Sequence, residues 1–402
     1  MYSLHLSAEQ LKFRDMIRDF VAQEVTPAAI KSERLEPFEQ PLLTALVEKA
    51  SQMGLRTMAL SEENGGAGAD ALTSCIVAEE LAVGDVDIAA VLAETSVLSH
   101  ILFDRLMTPA QRARFLPSFI ADDGYHLAYA DREPETDTRI GVDYHQTKAA
   151  SRFAAKAVRG VDGGWVLNGI KCAVVNAPVA KLFVISVQAD VDGTSGVHLF
   201  VVAADAPGVT VRAHPQAKRA HHGTSGELTL SDCRVPADNL LQANVNGAKL
   251  LNAGRAHDMA INVGIGRAAY EAALDYAGIR VQGGKRIIEH QATATRLADI
   301  AISLDVARNA VWRAAYASDH PDAVSDRSVP DLPLVAMARV FTSTAVYRAA
   351  KDAAELFGAM GVMRDMPLQK YIHDAFICLR SGDGNADAKL RIAETLAGVR
   401  PA

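Results

Sequence analysis

The chain of 402 residues has only four cysteines, no run of charge of one sign and no long apolar stretch. Cys75, Cys172, Cys233 and Cys378 are widely scattered, with no CxxC and no paired histidine spacing. That excludes a zinc-ligand motif or a disulfide framework and fits a reducing cytoplasm. The net charge is −7, so nothing draws the whole molecule to a nucleic-acid backbone. The one basic patch, Lys218-Arg219-Ala220-His221-His222, is short and flanked by small and polar residues, and reads as a loop or a meeting point for an anionic ligand. No segment approaches about 18 uninterrupted apolar residues, and the first residues lack a basic region followed by an apolar one, which argues against membrane spanning and secretion. What is present is 49% hydrophobic residues, enough for two or three compact units.

Periodicity divides the chain into α, β and α parts, expected at 1–122, 123–240 and 241–402. Ser7-Ala8-Glu9-Gln10 reads as a capping box, followed by Leu11, Phe13, Ile17, Phe20 and Val21 at mostly helical spacing. A second helix runs through Leu42, Leu43, Leu46 and Val47, with Gly54 as its C′ residue. The stretch 71–107 is Ala/Leu/Val-rich with few charges, as in a helix pair buried inside a bundle. From Tyr125, short β-branched runs separated by Asn, Gly and Asp predict an antiparallel β-domain, and Asn168-Gly169 predicts a hairpin turn. Beyond Asn239 the helical period returns, with candidate helices at 260–280, 286–319, 332–357 and 386–396. The segment from Pro321 to Pro333 is expected as an exposed linker.

Several strings, taken in order, resemble the acyl-CoA dehydrogenase family. Gly164-Trp165-Val166-Leu167-Asn168-Gly169-Ile170-Lys171 is similar to its Gly-Tyr-x-Leu-Asn-Gly-x-Lys element. Glu227 to Pro236 resembles its last β-strand and exit. Arg280-Val281-Gln282-Gly283-Gly284-Lys285 followed by Glu289-His290-Gln291-Ala292 resembles Arg-x-Gln-Phe-Gly-Lys…Gln-Ala, and Phe357-Gly358-Ala359-Met360-Gly361 resembles Phe-Gly-Gly-x-Gly. The resemblance implies an α+β fold: an N-terminal helical bundle, a middle antiparallel β-barrel-like domain and a C-terminal four-helix bundle that builds a tetramer, homomeric or with a related subunit. It implies FAD, with Arg280, Gln282, His290, Thr138, Phe357 and Gly358 as cofactor residues and a neighbouring subunit assisting. It also implies dehydrogenation of an acyl-CoA, with His257 where the family has a CoA-contacting Arg.

The same comparison exposes losses. The family's base Glu falls on Gly382, and a second branch's base position falls on Ala256, neither of which can accept a proton. Asp258 and Asp383 are the nearest carboxylates, so Asp383 is the candidate catalytic residue, its other reading being a turn residue that caps the last helix. Glu135 and Asp137 replace two glycines of the flavin loop, Ala173-Val174-Val175 stands where the family has Trp-Ile-Thr, Gly283 replaces Phe, Glu355 replaces Gln and Gly384 replaces Thr. Three readings follow: an FAD-dependent dehydrogenase with an unusual base, a non-catalytic partner subunit of a two-component acyl-CoA dehydrogenase, or a flavin oxidase or monooxygenase in which the loop at His221-His222 takes part.

Overall fold

A computed structural model describes residues 5–31, 41–134, 153–214, 222–242, 255–320, 333–363, 365–380 and 384–399. Thr138, Glu135, Asp137, His221, Gly382, Asp383 and most of the 321–333 linker lie outside these residues. The N-terminal helices are α1 (Ala8–Phe20), α2 (Thr26–Ala29), α3 (Thr44–Gln52), α4 (Ala71–Gly84), α5 (Val86–Ser99) and α6 (Pro109–Ala121). The capping box holds as expected: Gln10 N donates to Ser7 Oγ at 3.1 Å, and Ser7 N donates to Gln10 Oε1 at 2.9 Å. Gly54 follows α3 with φ +86°, a backbone conformation that costs glycine nothing.

Among the described residues seven strands follow: β1 (His126–Ala130), β2 (Lys156–Arg159), β3 (Trp165–Val175), β4 (Ala180–Val191), β5 (Thr194–Ala203), β6 (Val209–Ala213) and β7 (Ser225–Val235). Antiparallel pairing joins β2 to β3, β3 to β7, β4 to β5 and β6 to β7. The expectation needs amending at β4, one edge of which takes β1 and then β2, both parallel. A second correction concerns Asn168-Gly169, which is no turn: β3 runs straight through it with a register shift against β7. A Cβ on Gly169 would lie 2.4 Å from Ala155 Cβ, so glycine there admits a crossing backbone rather than a hairpin. β1, residues 182–187 of β4 and residues 199–202 of β5 read as apolar runs because both faces are buried there. Ala128, Phe183 and Phe200 enter the sheet's own core, while Leu127, Leu182 and Leu199 pack with Leu102, Phe103 and Phe119.

The C-terminal helices are α7 (Ala256–Ile279), α8 (Gln291–Asp319), α9 (Leu334–Leu356), α10 (Leu368–Arg380) and α11 (Gly384–Leu396). A two-strand hairpin, β8 (Val281–Gln282) and β9 (Lys285–Arg286), separates α7 from α8. Helix α10 was absent from the expected set, although Leu368, Tyr371, Ala375 and Cys378, all buried, carry the helical spacing. The largest core unites α1, α3, α4 and α5 with α7 to α10. Helices α4 and α7 touch backbone to backbone at Gly264, where an added Cβ would lie 2.5 Å from Glu79 O. Around that crossing Arg267 and Arg308 hold buried Glu79 at 2.9 and 2.7 Å, and Arg18 and Arg267 hold buried Glu80 at 2.7 Å each. The two arginines pull the Glu80 carboxyl below its usual range although burial pushes it up. By length and composition the helix Val86–Leu106 is apolar enough to cross a membrane, but 83% of that window is buried inside the protein, so the core accounts for its apolarity.

Candidate active site

Helix α5 is where the three parts of the chain meet. The Asn176 side chain, fully buried, donates to Val91 O and Thr95 Oγ1 of α5 and to Leu127 O of β1, at 3.1–3.3 Å. Asn176 sits at φ +64°, a region tolerated by Asn. On the same helix Glu94, 4% exposed, meets the start of α7. Arg255 Nη2 donates to Glu94 Oε2 at 2.6 Å and its Nε to Asp258 Oδ2 at 2.8 Å. His257, 3% exposed, places Nε2 3.8 Å from Glu94 Oε2 and 3.4 Å from Asp258 Oδ1. His257 Nε2 is buried without a hydrogen-bond partner.

The charges sort themselves around Arg255. Burial pushes the Glu94 carboxyl up, but the Arg255 cation and His257 hold it below the usual range. Burial pushes the Asp131 carboxyl, at the exit of β1, above its usual range against the pull of Arg132, Arg255 and Lys171. Glu94, His257 and Asp258 offer one ligand-type atom each within 4.8 Å of one another. Arg255 already supplies the cation that both carboxylates bind, so this cluster is a guanidinium-centred site.

His257 also closes a narrow cavity between helices α4, α5 and α7. Its wall is apolar, with Leu55, Met58, Val77, Leu81 and Leu92, and His257 is the one titratable side chain in it. Ser74 and Ser96 also line it, and its free volume of about 10 Å³ is that of a single water.

The loop after β1 is pinned from within. Lys171, fully buried, donates to Glu133 Oε1 at 2.7 Å, and Glu133 accepts Ala154 N at 2.7 Å and Ala155 N at 3.2 Å. At the bend beyond Lys171, Ala173 takes φ +50°, a conformation strained for a residue with a Cβ.

The other expected cofactor residues lie at the far end of α7. Arg280 is the exposed residue after that helix, Gln282 is exposed in β8, and His290 Nε2 lies 2.9 Å from Gln282 O, where it closes the hairpin. Phe357 stacks on Tyr276, one turn before Arg280, with centroids 4.2 Å apart, and Gly358 follows at φ +57°. The structure therefore gathers Arg280, Gln282, His290, Phe357 and Gly358 at one end of α7 and His257 at the other. Arg280 and His257 are 23 positions apart, about 35 Å along a helix. Glu355, which stands where the family has Gln, pairs with Arg296 at 2.9 Å. His222 is buried beside Cys378, its Nε2 3.5 Å from Sγ. Sequence reasoning missed Glu94 and Arg255, whose pairing spans 161 positions; the only local signal was an Arg beside the helix start.

Taken together, a helical bundle, a mixed sheet and a second helical bundle in this order define a three-part α–β–α class of fold. Family models described as the acyl-CoA dehydrogenase N-terminal, middle and C-terminal domains match residues 7–123, 141–233 and 246–395, and the chain belongs to this family. It is 30% identical to an acyl-CoA dehydrogenase of Bacillus subtilis (strain 168), over 98% of this chain and 100% of the relative. Among solved structures it is similar to butyryl-CoA dehydrogenase from Megasphaera elsdenii, with TM-score 0.82 and 25% identity over 98% and 100% of the two chains. It is also similar to a glutaryl-coenzyme A dehydrogenase in complex with glutaryl-CoA, with TM-score 0.81 and 26% identity over 100% and 98%.

Proposed function

We propose that the chain is an FAD-dependent oxidoreductase that dehydrogenates an acyl-CoA between its α- and β-carbons. The observation that carries this reading is the apolar chamber of α4, α5 and α7 ending at His257 and the Glu94–Arg255–Asp258 cluster. A short acyl chain enters where these helices meet by widening a space that now has the volume of about one water, and its thioester comes to rest among the polar groups. Bound FAD supplies the acceptor for the β-hydrogen as hydride. The protein's part is to exclude water, orient the thioester and manage the α-proton.

The residues fit a flavin's diphosphate. Arg280 and Gln282 carry exposed side chains with no partner among the described residues, beside Gly283 and Gly284 at φ +61° and +83°. A fixed cation with accessible backbone N–H groups is a phosphate-binding set. Phe357, Gly358 and, beyond the described residues, Thr138 complete the proposed contacts. Because this set lies about 35 Å from His257 along α7, one copy's hairpin serves the chamber of another. Exposed Ile279, Val281, Ile302 and Val306 give the C-terminal helices the apolar surface that such an assembly buries. A homotetramer, or a heterotetramer with a related subunit, in the cytoplasm is the assembly we propose.

The test is the visible spectrum of the protein purified alone. A yellow protein with flavin near one per chain, bleached anaerobically by an acyl-CoA, supports the reading. Flavin that no acyl-CoA reduces overturns it. Gly382 at the family's base position favours a second reading, a partner subunit that completes another chain's site. A colourless protein that gains flavin only on co-expression with a related subunit would establish that one.

A further inference from the structure

The position that holds the base in the family is Gly382 here, and Ala256 stands at the alternative position, so the α-proton needs another acceptor. Several polar groups converge on the chamber end of α7. Glu94 Oε2 is engaged by Arg255 at 2.6 Å, and the same guanidinium holds its carboxyl in the weakly basic range. Asp258 Oδ2 is engaged by Arg255 at 2.8 Å, and the Asp258 side chain is 46% exposed. Helix α4 contributes Ser74 but no titratable group to the wall. His257 differs from all of these. It lines the chamber, its side chain is 4% exposed, and its Nε2 is buried with no hydrogen-bond partner. Leaving a buried ring nitrogen unpaired is unfavourable, and a ligand that meets it recovers that loss.

We propose that His257 is the catalytic proton acceptor of this chain, taking the α-proton of the bound acyl thioester on Nε2. The inference rests on the thioester reading above. In the step, the Cα–H bond breaks, an N–H bond forms at Nε2, and the electron pair left on Cα delocalises onto the thioester oxygen as an enolate. Glu94 Oε2 and Asp258 Oδ1, at 3.8 and 3.4 Å from Nε2, stabilise the imidazolium that results. Their bonds to Arg255 keep both carboxylates in place. A histidine backed by carboxylates thus replaces a single glutamate, with the proton acceptor on the helix that opens the C-terminal part.

Proton abstraction is separable from oxidation with a 3-thiaacyl-CoA, whose α-C–H bonds are acidic and whose β-position is sulfur and yields no hydride. The experiment follows loss of its α-proton NMR signal in D2O with the flavin-loaded protein. Wild type is expected to exchange the α-protons, and His257→Gln to slow exchange at least about a hundredfold while keeping flavin content and analogue binding. In His257→Ala, added imidazole is expected to restore part of the exchange. This second variant decides the matter should His257→Gln bind the analogue poorly: rescue supports the assignment and its absence overturns it. Exchange in His257→Gln within about threefold of wild type also overturns it, as does exchange lost in Asp383→Asn but kept in His257→Gln. If the assignment falls while wild-type flavin is still bleached by acyl-CoA, the dehydrogenase reading stands. Wild-type protein that neither exchanges nor bleaches defeats both.

Discussion

Lys171→Met isolates the worth of the ion pair beneath the loop after β1. Lys171 is fully buried and Glu133 is 3% exposed, with 2.7 Å between Nζ and Oε1. Burial depresses the lysine's affinity for its proton, and Glu133 is the main force opposing that. Removing the ammonium leaves a carboxylate that still accepts Ala154 N and Ala155 N but has lost its 2.7 Å contact with the lysine cation. Breaking one side of such a pair costs about 3–5 kcal/mol, because the remaining charge is stranded rather than because the pair itself is strong. At about 2–4 °C per kcal/mol the transition of the middle part moves down by roughly 6–20 °C. Glu133→Gln alone strands the lysine and is expected to cost a similar amount. The double variant Lys171→Met/Glu133→Gln is then expected to recover at least about 1–3 kcal/mol relative to the sum of the singles. Differential scanning calorimetry of all four proteins measures the cycle. A Lys171→Met shift below about 2 °C, or strict additivity, would refute the claim that this pair pins the loop.

Two further predictions concern packing and pH. Gly264→Ala, which forces a Cβ to within 2.5 Å of Glu79 O, lowers stability by about 1–3 kcal/mol. Gly278→Ala in the same helix meets nothing within 4 Å and raises stability by up to about 1 kcal/mol, so the pair of melting temperatures separates clash from helix propensity. His126 is 4% exposed beside Thr95, and burial, with Arg56, pushes its pKa from 6.5 down to about 4. The unfolded chain binds that proton first, so stability is fully present above pH 6.5 and falls as pH drops toward 4. The cost is about 3 kcal/mol below that point. His126→Asn is expected to flatten this part of the melting-temperature profile, and an unchanged slope would contradict it.

Much of the fold was readable because it is locally encoded. Ser7 and Gln10 form their box within one turn, and Gly54 ends α3 by its own backbone freedom. The apolar runs at 182–187 and 197–202 follow from strands buried on both faces. What was not readable depends on partners far along the chain. Gly169 looks like a turn until Ala155 is seen crossing it, and β1 pairs parallel with β4 only because a crossover brings them together. Helix α10 carries a helical period, but its apolar positions become a core face only against the other helices of the bundle. At the site, His257 could be singled out from its place before a long helix, whereas Glu94 is one acidic residue in an apolar run until Arg255 reaches it.

Cofactor retention, under the shared-cofactor reading, obeys mass action. On that reading Arg280 and His257, at opposite ends of α7, serve different sites, so no copy of the chain encloses a whole flavin site by itself. Dilution that separates the copies then releases flavin in the same event, so fluorescence of released flavin against protein concentration traces the association curve directly. Variants at exposed Ile302 or Val306 would shift that curve and leave its plateau unchanged.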